Sequence, residues 1–597
     1  DSPVVWPVPR VIHEFYNRTH PRAPARVRVR SRGAPNCLHF CGAGANMHVP
    51  PQLLHQLPLL AIFIVPVTSA YFGLRRINMK SAIHFQQGTR GSSAWRAALT
   101  MSTLTIPSFA FWCLLMRGPS AMAYQFGFSL AIVVIFCSVA GILHYVPSPS
   151  LFAYPQLRFQ SSNLRLALSI LQTIVTFLCI LLVLLHSSSL LASVSLFTLY
   201  LCIALVAFFP LFAVVFSGYS CIMTLSLLLH IFCILFGIGV FLVFGIKDVT
   251  TFRTIVPYEF TITDSIVSFL VGFVVSLYQL ASSPLLYQAY FPIPTLHKLR
   301  LTLAFHGVFQ LFSSILVFVT ISLFYAFLES KCSRTFSYQT LFEFAKHTVP
   351  HPTLAYAVIV SFLSVFTFST QWLFMSITTH VWEEFVKVHL RDLGSMKQLC
   401  CLQSILLLIC AASVTIASAI RFFQIPYDLL TPATVMLILT LCAAMCGIFM
   451  CGYFLPFCNS KGAMASLLVT IVSSIILFYL YASHNTLPSF KNNCAVEAVT
   501  NSTIALRSFN MEKVMLMASH MPLHSHPIVA FVISIVICPI VSLFTGGQDQ
   551  MSLDWNLVVM PGSLGRGSAY SKRPFVESES FRYAQHTASP GLLKWQR

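Results

Sequence analysis

Apolar runs of about 18 residues or more recur along the whole chain, divided by short polar breaks. Each run is long enough to cross a bilayer as a helix. Together they predict about thirteen spans, at 53–73, 98–118, 123–145, 165–186, 190–216, 221–246, 265–291, 299–328, 354–381, 398–423, 430–455, 462–483 and 525–546. The short alternating segments of a β-barrel are not visible. The expected fold class is therefore an all-α integral membrane protein. Residues 52–546 form its transmembrane domain, between an arm at 1–51 and a polar tail at 547–597.

Two spans are interrupted in matching places. The second reads "AALTMSTLTIPSFAFWCLLMRG", with Pro107 and Ser108 in its middle and Thr103 and Thr105 just before. A mid-helix proline removes a backbone hydrogen bond and crowds the preceding turn. In lipid the freed carbonyl needs a partner, so such a break faces protein or a cavity. The seventh span reads "DSIVSFLVGFVVSLYQLASSPLLYQAYF". Ser282, Ser283 and Pro284 interrupt it, with Gln279 one turn earlier. Five spans separate the two interruptions, which predicts two repeats of five helices, at about 98–246 and 265–455. Five is odd, so the second repeat is inverted. Paired interruptions point to the central binding site of a transporter. Pro107, Ser108, Gln279, Ser282 and Ser283 are the substrate-binding candidates. A simple kink remains the alternative for each proline taken alone.

Charge sets the sidedness. The chain carries +19 net, but the positive residues are spread over the arm and alternate short loops: "GLRRINMK", "PQLRF" with Arg165, "TLHKLR", "KVHLRDLGSMK" and "NSKGA". That pattern is membrane topology rather than nucleic-acid binding, and it puts these loops in the cytosol. The opposite loops hold two N-x-S/T sequons, at Asn17 and Asn501, as glycosylation requires. The arm, "RTHPRAPARVRVRSRGAP", reads as disordered and extracellular, against the usual placement of basic segments. With 56% hydrophobic and 9% charged residues, the partner this chain must have is a lipid bilayer.

The chemistry within the spans is sparse. Only 17 acidic residues occur, and no span holds one near its middle, which argues against a carboxylate-based proton relay. The ninth span, "FLSVFTFSTQWLFMSITTHVWEEF", adds Thr367, Ser369 and Thr370. Such hydroxyls suit a hard monovalent cation, or else bond to their own helix. His230 and His306 read as packed, hydrogen-bonded residues rather than ligands. Most of the 18 Cys fall in apolar runs and behave as small buried hydrophobes. "CLHFC", with Cys37, His39 and Cys41, has no second ligand pair nearby. Cys458, in "GYFLPFCNSKGAMASLL", has no partner at metal spacing. That stretch reads as a cytosolic turn. Asn459 and Ser460 cap the next helix, and Gly462 and Ala463 allow close helix approach. No HExxH, GxSxG or P-loop occurs, so no enzyme is expected. No cofactor is implied, and no metal beyond sodium.

At this level of detail the chain resembles the solute:sodium symporters, and most their animal branch of multivitamin, monocarboxylate and iodide carriers. "CGIFMCGYFLPFCNSKGAMASLL" resembles the branch's glycine, proline, Asn-x-x-Gly-Ala pattern. "LASSPLLYQAYF" stands where the branch has "YGVNQAQVQRYL", and "SITTHVWEEF" resembles "SLATVTMEDL". "LRLALSILQTI" is similar to a fourth helix of the type "TRLFASLLFSIQMI". The resemblance implies a LeuT-like fold with a five-plus-five inverted repeat. It also implies sodium-driven uptake of a small organic solute, such as a monocarboxylate or vitamin-like anion, at the plasma membrane. Sodium would bind carbonyls near Met101 to Thr105 and hydroxyls of the ninth span, which makes Met101, Thr105, Ser369 and Thr370 the cation-binding candidates. The family's hydroxyl pair aligns on Phe368 and Ser369, and Phe368 cannot ligate sodium. Ala281 and Ser282 replace an Asn-Gln pair, and Ser226 replaces an Asp. Three readings of function thus stay open: a sodium symporter, a sodium-independent carrier, and a non-transporting sensor or scaffold.

Overall fold

The computed structural model describes residues 56–76, 82–87, 93–115, 119–146, 148–222, 226–245, 262–330, 338–390, 393–423, 427–484, 525–549, 551 and 553–559. The arm, both sequons, Cys37, Cys41, Cys332, Cys494 and the tail beyond 559 lie outside these residues. All the described residues belong to one compact unit, and among them there is no strand.

The helices run in order as α1 (Ala61–Arg76), α2 (Ala82–Gln87), α3 (Ala94–Leu115), α4 (Ser120–Tyr145), α5 (Ala153–Phe159) and α6 (Ser162–Val194). Next come α7 (Leu199–Cys221), α8 (Leu227–Gly245), α9 (Ile262–Ala281), α10 (Pro284–Tyr290), α11 (Leu296–Ser330) and α12 (Tyr338–Thr348). The last are α13 (Pro352–Val381), α14 (Ser395–Phe422), α15 (Tyr427–Phe454), α16 (Ser460–His484) and α17 (His526–Phe544). Eleven of the described helices are long and apolar enough to cross a membrane. With α1 and α3, which pack into the same bundle, they account for the thirteen expected spans.

The packing obeys an inverted two-fold. Repeat one is α3, α4, α6, α7 and α8; repeat two is α9–α10, α11, α13, α14 and α15. The first helix of each repeat packs on the second of the other: α3 on α11, and α9 on α4. The third of each packs on the fifth of the other: α13 on α8, and α6 on α15. Third meets third (α6 on α13), and fourth meets fourth (α7 on α14). This reciprocity is what a pseudo-two-fold axis in the membrane plane imposes.

At the crossing of α4 and α9, Gly127 and Gly272 let the two backbones touch. A Cβ on Gly127 would stand 1.9 Å from Phe269 O, and one on Gly272 would stand 2.0 Å from Tyr124 O. Small residues at such crossings replace the hydrophobic drive that lipid removes.

The two interruptions behave differently. The seventh span divides as expected into α9 and α10. Ser283 accepts a hydrogen bond from Leu285 N at 3.2 Å, and Pro284 is the first residue of α10. The carbonyls freed at the end of α9 are taken up by tyrosines: Tyr290 Oη donates to Leu280 O at 2.6 Å, and Tyr453 Oη to Ala281 O at 2.7 Å. The expected break at Pro107 is corrected, because α3 runs through it as one helix. Local hydroxyls brace the helix around the proline. Thr105 Oγ1 donates to Ser102 O at 2.9 Å, and Ser108 Oγ to Thr105 O at 2.8 Å. Such side-chain bonding is how membrane helices tolerate proline.

Candidate functional site

A cavity of ≈ 990 Å³ lies between the repeats. Its wall is built from α3, α6, α8, α9, α11, α13 and α15, and it reaches α12 and the C-terminal end of α14. Most of the wall is apolar. Its polar groups converge near the two prolines. Ser102, Thr103, Pro107 and Ser108 of α3 face Gln279 and Ser283 from the α9–α10 break. Gln279 Nε2 stands 3.5 Å from Ser108 Oγ, so the Pro107 turn of α3 and the end of α9 meet in space. Gln279 Oε1 has no hydrogen-bond partner among the described residues. Proline at 107 carries no N–H, so the Thr103 carbonyl loses its helical partner beside the same cavity.

Other polar residues of the wall are legible only in the fold. Tyr278 Oη donates to Gln172 Oε1 at 2.7 Å, and Gln172 Nε2 donates to Thr176 Oγ1 at 2.9 Å. This chain of bonds ties α9 to α6. A lone Gln inside the apolar run "LSILQTIVTF" was the available signal. Toward α12, His186 bonds to Tyr338, and Arg421 bonds to Ser189. Arg421 is the one charged residue among the described residues of the wall.

The opposite end is sealed by hydrogen bonds onto α10. Trp372 Nε1 donates to Leu285 O at 2.8 Å, and Tyr219 Oη to Gln288 O at 3.0 Å. Tyr287 Oη donates to Ser148 O at 2.9 Å. Beyond this layer, Glu384 accepts from Arg165 Nε at 2.7 Å and from Ser169 Oγ at 3.0 Å, and it also bonds Ser150. The cavity therefore extends toward α12 and the C-terminal end of α14 and is closed at the α10 end.

The cation-binding candidates lie on two helices that pack on each other, α3 and α13. Ser369 lies in the cavity wall, and its hydroxyl donates to Val365 O at 2.9 Å. Thr370 is buried and donates to Phe366 O at 2.8 Å. Thr105 bonds Gln310 of α11, and Met101 is fully buried. Of the substrate-binding candidates, Ser282 is buried outside the cavity wall. Phe368 packs against His230 with 5.6 Å between ring centroids. His306 is hydrogen-bonded as expected, with Nδ1 3.0 Å from Ser102 Oγ. His230 departs from expectation, since neither ring nitrogen finds a partner among the described residues. Ser226 Oγ donates to Gln371 Oε1 at 2.5 Å, so a neutral pair occupies the place where the resemblance has an Asp.

The "GYFLPFCNSKGAMASLL" stretch is a turn, as read. Asn459 Oδ1 accepts from Gly462 N at 2.8 Å and caps α16. A Cβ on Gly462 would stand 2.1 Å from Ser542 Oγ, so α16 lies hard against α17. One reading is corrected. Cys458 does have partners at metal distance, because the fold brings Cys451 and Cys538 to it.

No family model matches the chain, and no curated protein matches its sequence. Among solved structures it is similar to a Na+-coupled sialic acid symporter in a substrate-bound outward-open state. That match has 14% identity and a TM-score of 0.62, over 83% of this chain and 99% of the other. It is also similar to a manganese transporter of Eremococcus coleocola, at 12% identity and a TM-score of 0.45, over 77% and 99% of the two chains. Both of those proteins are transporters, not enzymes. At these identities the likeness is one of fold. The chain has the all-helical, multi-pass, LeuT-like architecture of membrane transporters. Within that class, its fold matches a sodium-coupled solute symporter over nearly that protein's whole length.

Proposed function

We propose that this protein is a secondary transporter that carries a small organic anion across the plasma membrane by alternating access. The observation that carries the reading is the cavity where α3 at Pro107 meets the α9–α10 break, closed at one end by α10. Its ≈ 990 Å³ is at the upper end of small-molecule sites. Gln279, Ser108 and the Thr103 carbonyl offer polar contacts at the depth of the prolines, while Arg421 favours a negative solute. A monocarboxylate or a vitamin-like carboxylate fits that combination of an apolar wall and a few polar groups. Transport would be rocking of α3, α4, α9, α10 and α11 against α6, α7, α13 and α14.

Sodium coupling is the first reading, supported by the similar fold of a protein described as Na+-coupled. Carriage without sodium is the second, and a specific observation favours it. Phe368 fills the hydroxyl position, and the Ser369 and Thr370 hydroxyls donate to their own helix. Uptake into proteoliposomes, with and without a sodium gradient, separates the readings. Uptake of a monocarboxylate or vitamin-like anion is expected. Gln279→Leu should lower it about tenfold, by removing a buried polar contact. Uptake that ignores the gradient establishes the second reading. Absence of uptake and of binding across a panel of organic anions would leave the non-transporting sensor as the function.

A further inference from the structure

At the cytosolic end of α15 the sulfurs of Cys451, Cys458 and Cys538 all lie within 4.8 Å of one another. They come from three elements: the last turn of α15, the loop before α16, and the middle of α17. None is more than 1% exposed. Among the described residues this is the one group of three Cys, His, Asp or Glu side chains whose ligand atoms come so close. Three packed thiols could be no more than small hydrophobes, since membrane helices bury many cysteines.

A second observation separates this cluster from ordinary packing. Arg158 of α5 is fully buried beside it. Its guanidinium donates to the carbonyls of Leu455 at 2.8 Å, Gly452 and Pro456 at 3.0 Å each, and Cys458 at 3.5 Å. It pairs with no carboxylate among the described residues. Carbonyls satisfy its N–H groups but leave its charge uncompensated, and a buried cation calls for an anion. Three neutral thiols supply none.

The geometry points to a structural zinc(II) site formed by Cys451, Cys458 and Cys538, with Arg158 as its counter-ion. Three thiols lose three protons as three zinc–sulfur bonds form, and the resulting complex carries a charge of −1. Arg158 balances that charge; copper(I) on the same thiolates would leave an excess negative charge. Zinc–sulfur bonds of about 2.3 Å set tetrahedral sulfurs about 3.8 Å apart, so the cluster closes on the ion by less than about 1 Å. An oxygen completes the tetrahedron, and Ile535 O is already 3.8 Å from Cys451 Sγ. The ion would pin α17 and the α15–α16 loop to the end of α15, away from the solute cavity. The site is independent of the transport reading.

The test is metal analysis of the full chain, purified without chelator in lipid nanodiscs. About one zinc per chain is expected. Cys458→Ser and Cys538→Ser should each lower zinc occupancy at least about tenfold, while Cys410→Ser, a buried cysteine elsewhere, should retain it. Cobalt(II) loading of the wild-type protein should give a sulfur-to-metal charge-transfer band, which stands even where a variant fails to fold. Three results overturn the site: wild-type protein with neither zinc nor the cobalt band, zinc held undiminished by folded Cys458→Ser protein, or a disulfide among the three cysteines in non-reducing peptide mass spectrometry.

Discussion

Single residues decide this protein where two backbones or two polar groups meet. Gly272 is the sharpest case, because a Cβ there would stand 2.0 Å from the Tyr124 carbonyl and backbone cannot yield as a side chain can. Gly272→Val should therefore destabilise the fold by at least about 1–3 kcal/mol, the usual cost of overpacking. Thermal unfolding in detergent would read this as a lowered Tm. An unchanged Tm would mean that α4 and α9 do not cross so closely. The candidate site is mixed at this scale. Ser108, Gln279 and Ser283 were legible from the breaks, and the fold brings all three to one cavity. Ser282, next to Ser283 in sequence, is buried outside that wall. Gln172, Tyr278 and Arg421 were not singled out, because one polar residue in a long apolar run does not say which way it points.

At the scale of elements, the short α10 governs which side the cavity faces. Its backbone carbonyls are held by Trp372 and Tyr219, side chains from two scaffold helices. Trp372→Phe leaves the Leu285 carbonyl without that partner and should cost the sealed arrangement about 1–3 kcal/mol. A cysteine placed by Ser108→Cys, labelled with a membrane-impermeant maleimide added outside, reports the consequence. Its labelling, read on its own peptide, should slow when Trp372→Phe is added. An unaltered rate would show that α10 does not hold the seal. The α3 helix carries the opposite lesson. A proline in its middle predicted a break, yet hydroxyls within one turn keep the helix whole.

For the molecule as a whole, the inverted repeat and the sidedness are linked. Five spans per repeat turn the second over, so α3 at Pro107 and the α9–α10 break approach each other from opposite directions. Sidedness itself rests on loop charge and on the sequon at Asn501, which lies outside the described residues. Asn501 should carry a glycan when the protein is made in an animal cell. Peptide N-glycosidase treatment should then increase the mobility of the chain on a gel, and Asn501→Gln should abolish the shift. A chain with no glycan at Asn501 would argue against placing that loop outside.

The sequence by itself determined the all-helical class, the number and approximate placement of the apolar spans and the two-repeat order, and loop charge set the expectation of which side is cytosolic. These are local or additive properties: hydrophobic length, charge counts and the spacing of prolines. The tertiary structure alone decided which side chains meet. It placed Gln279 beside Ser108, put tyrosine hydroxyls on the carbonyls freed by the break, and brought Cys538 of α17 to Cys451 and Cys458. The reason is physical. In water a helix displays its buried face as an apolar stripe, but a helix in lipid is apolar all round. Rotation and crossing then depend on small-residue contacts and buried hydrogen bonds, which take effect only once the partner helix is in place.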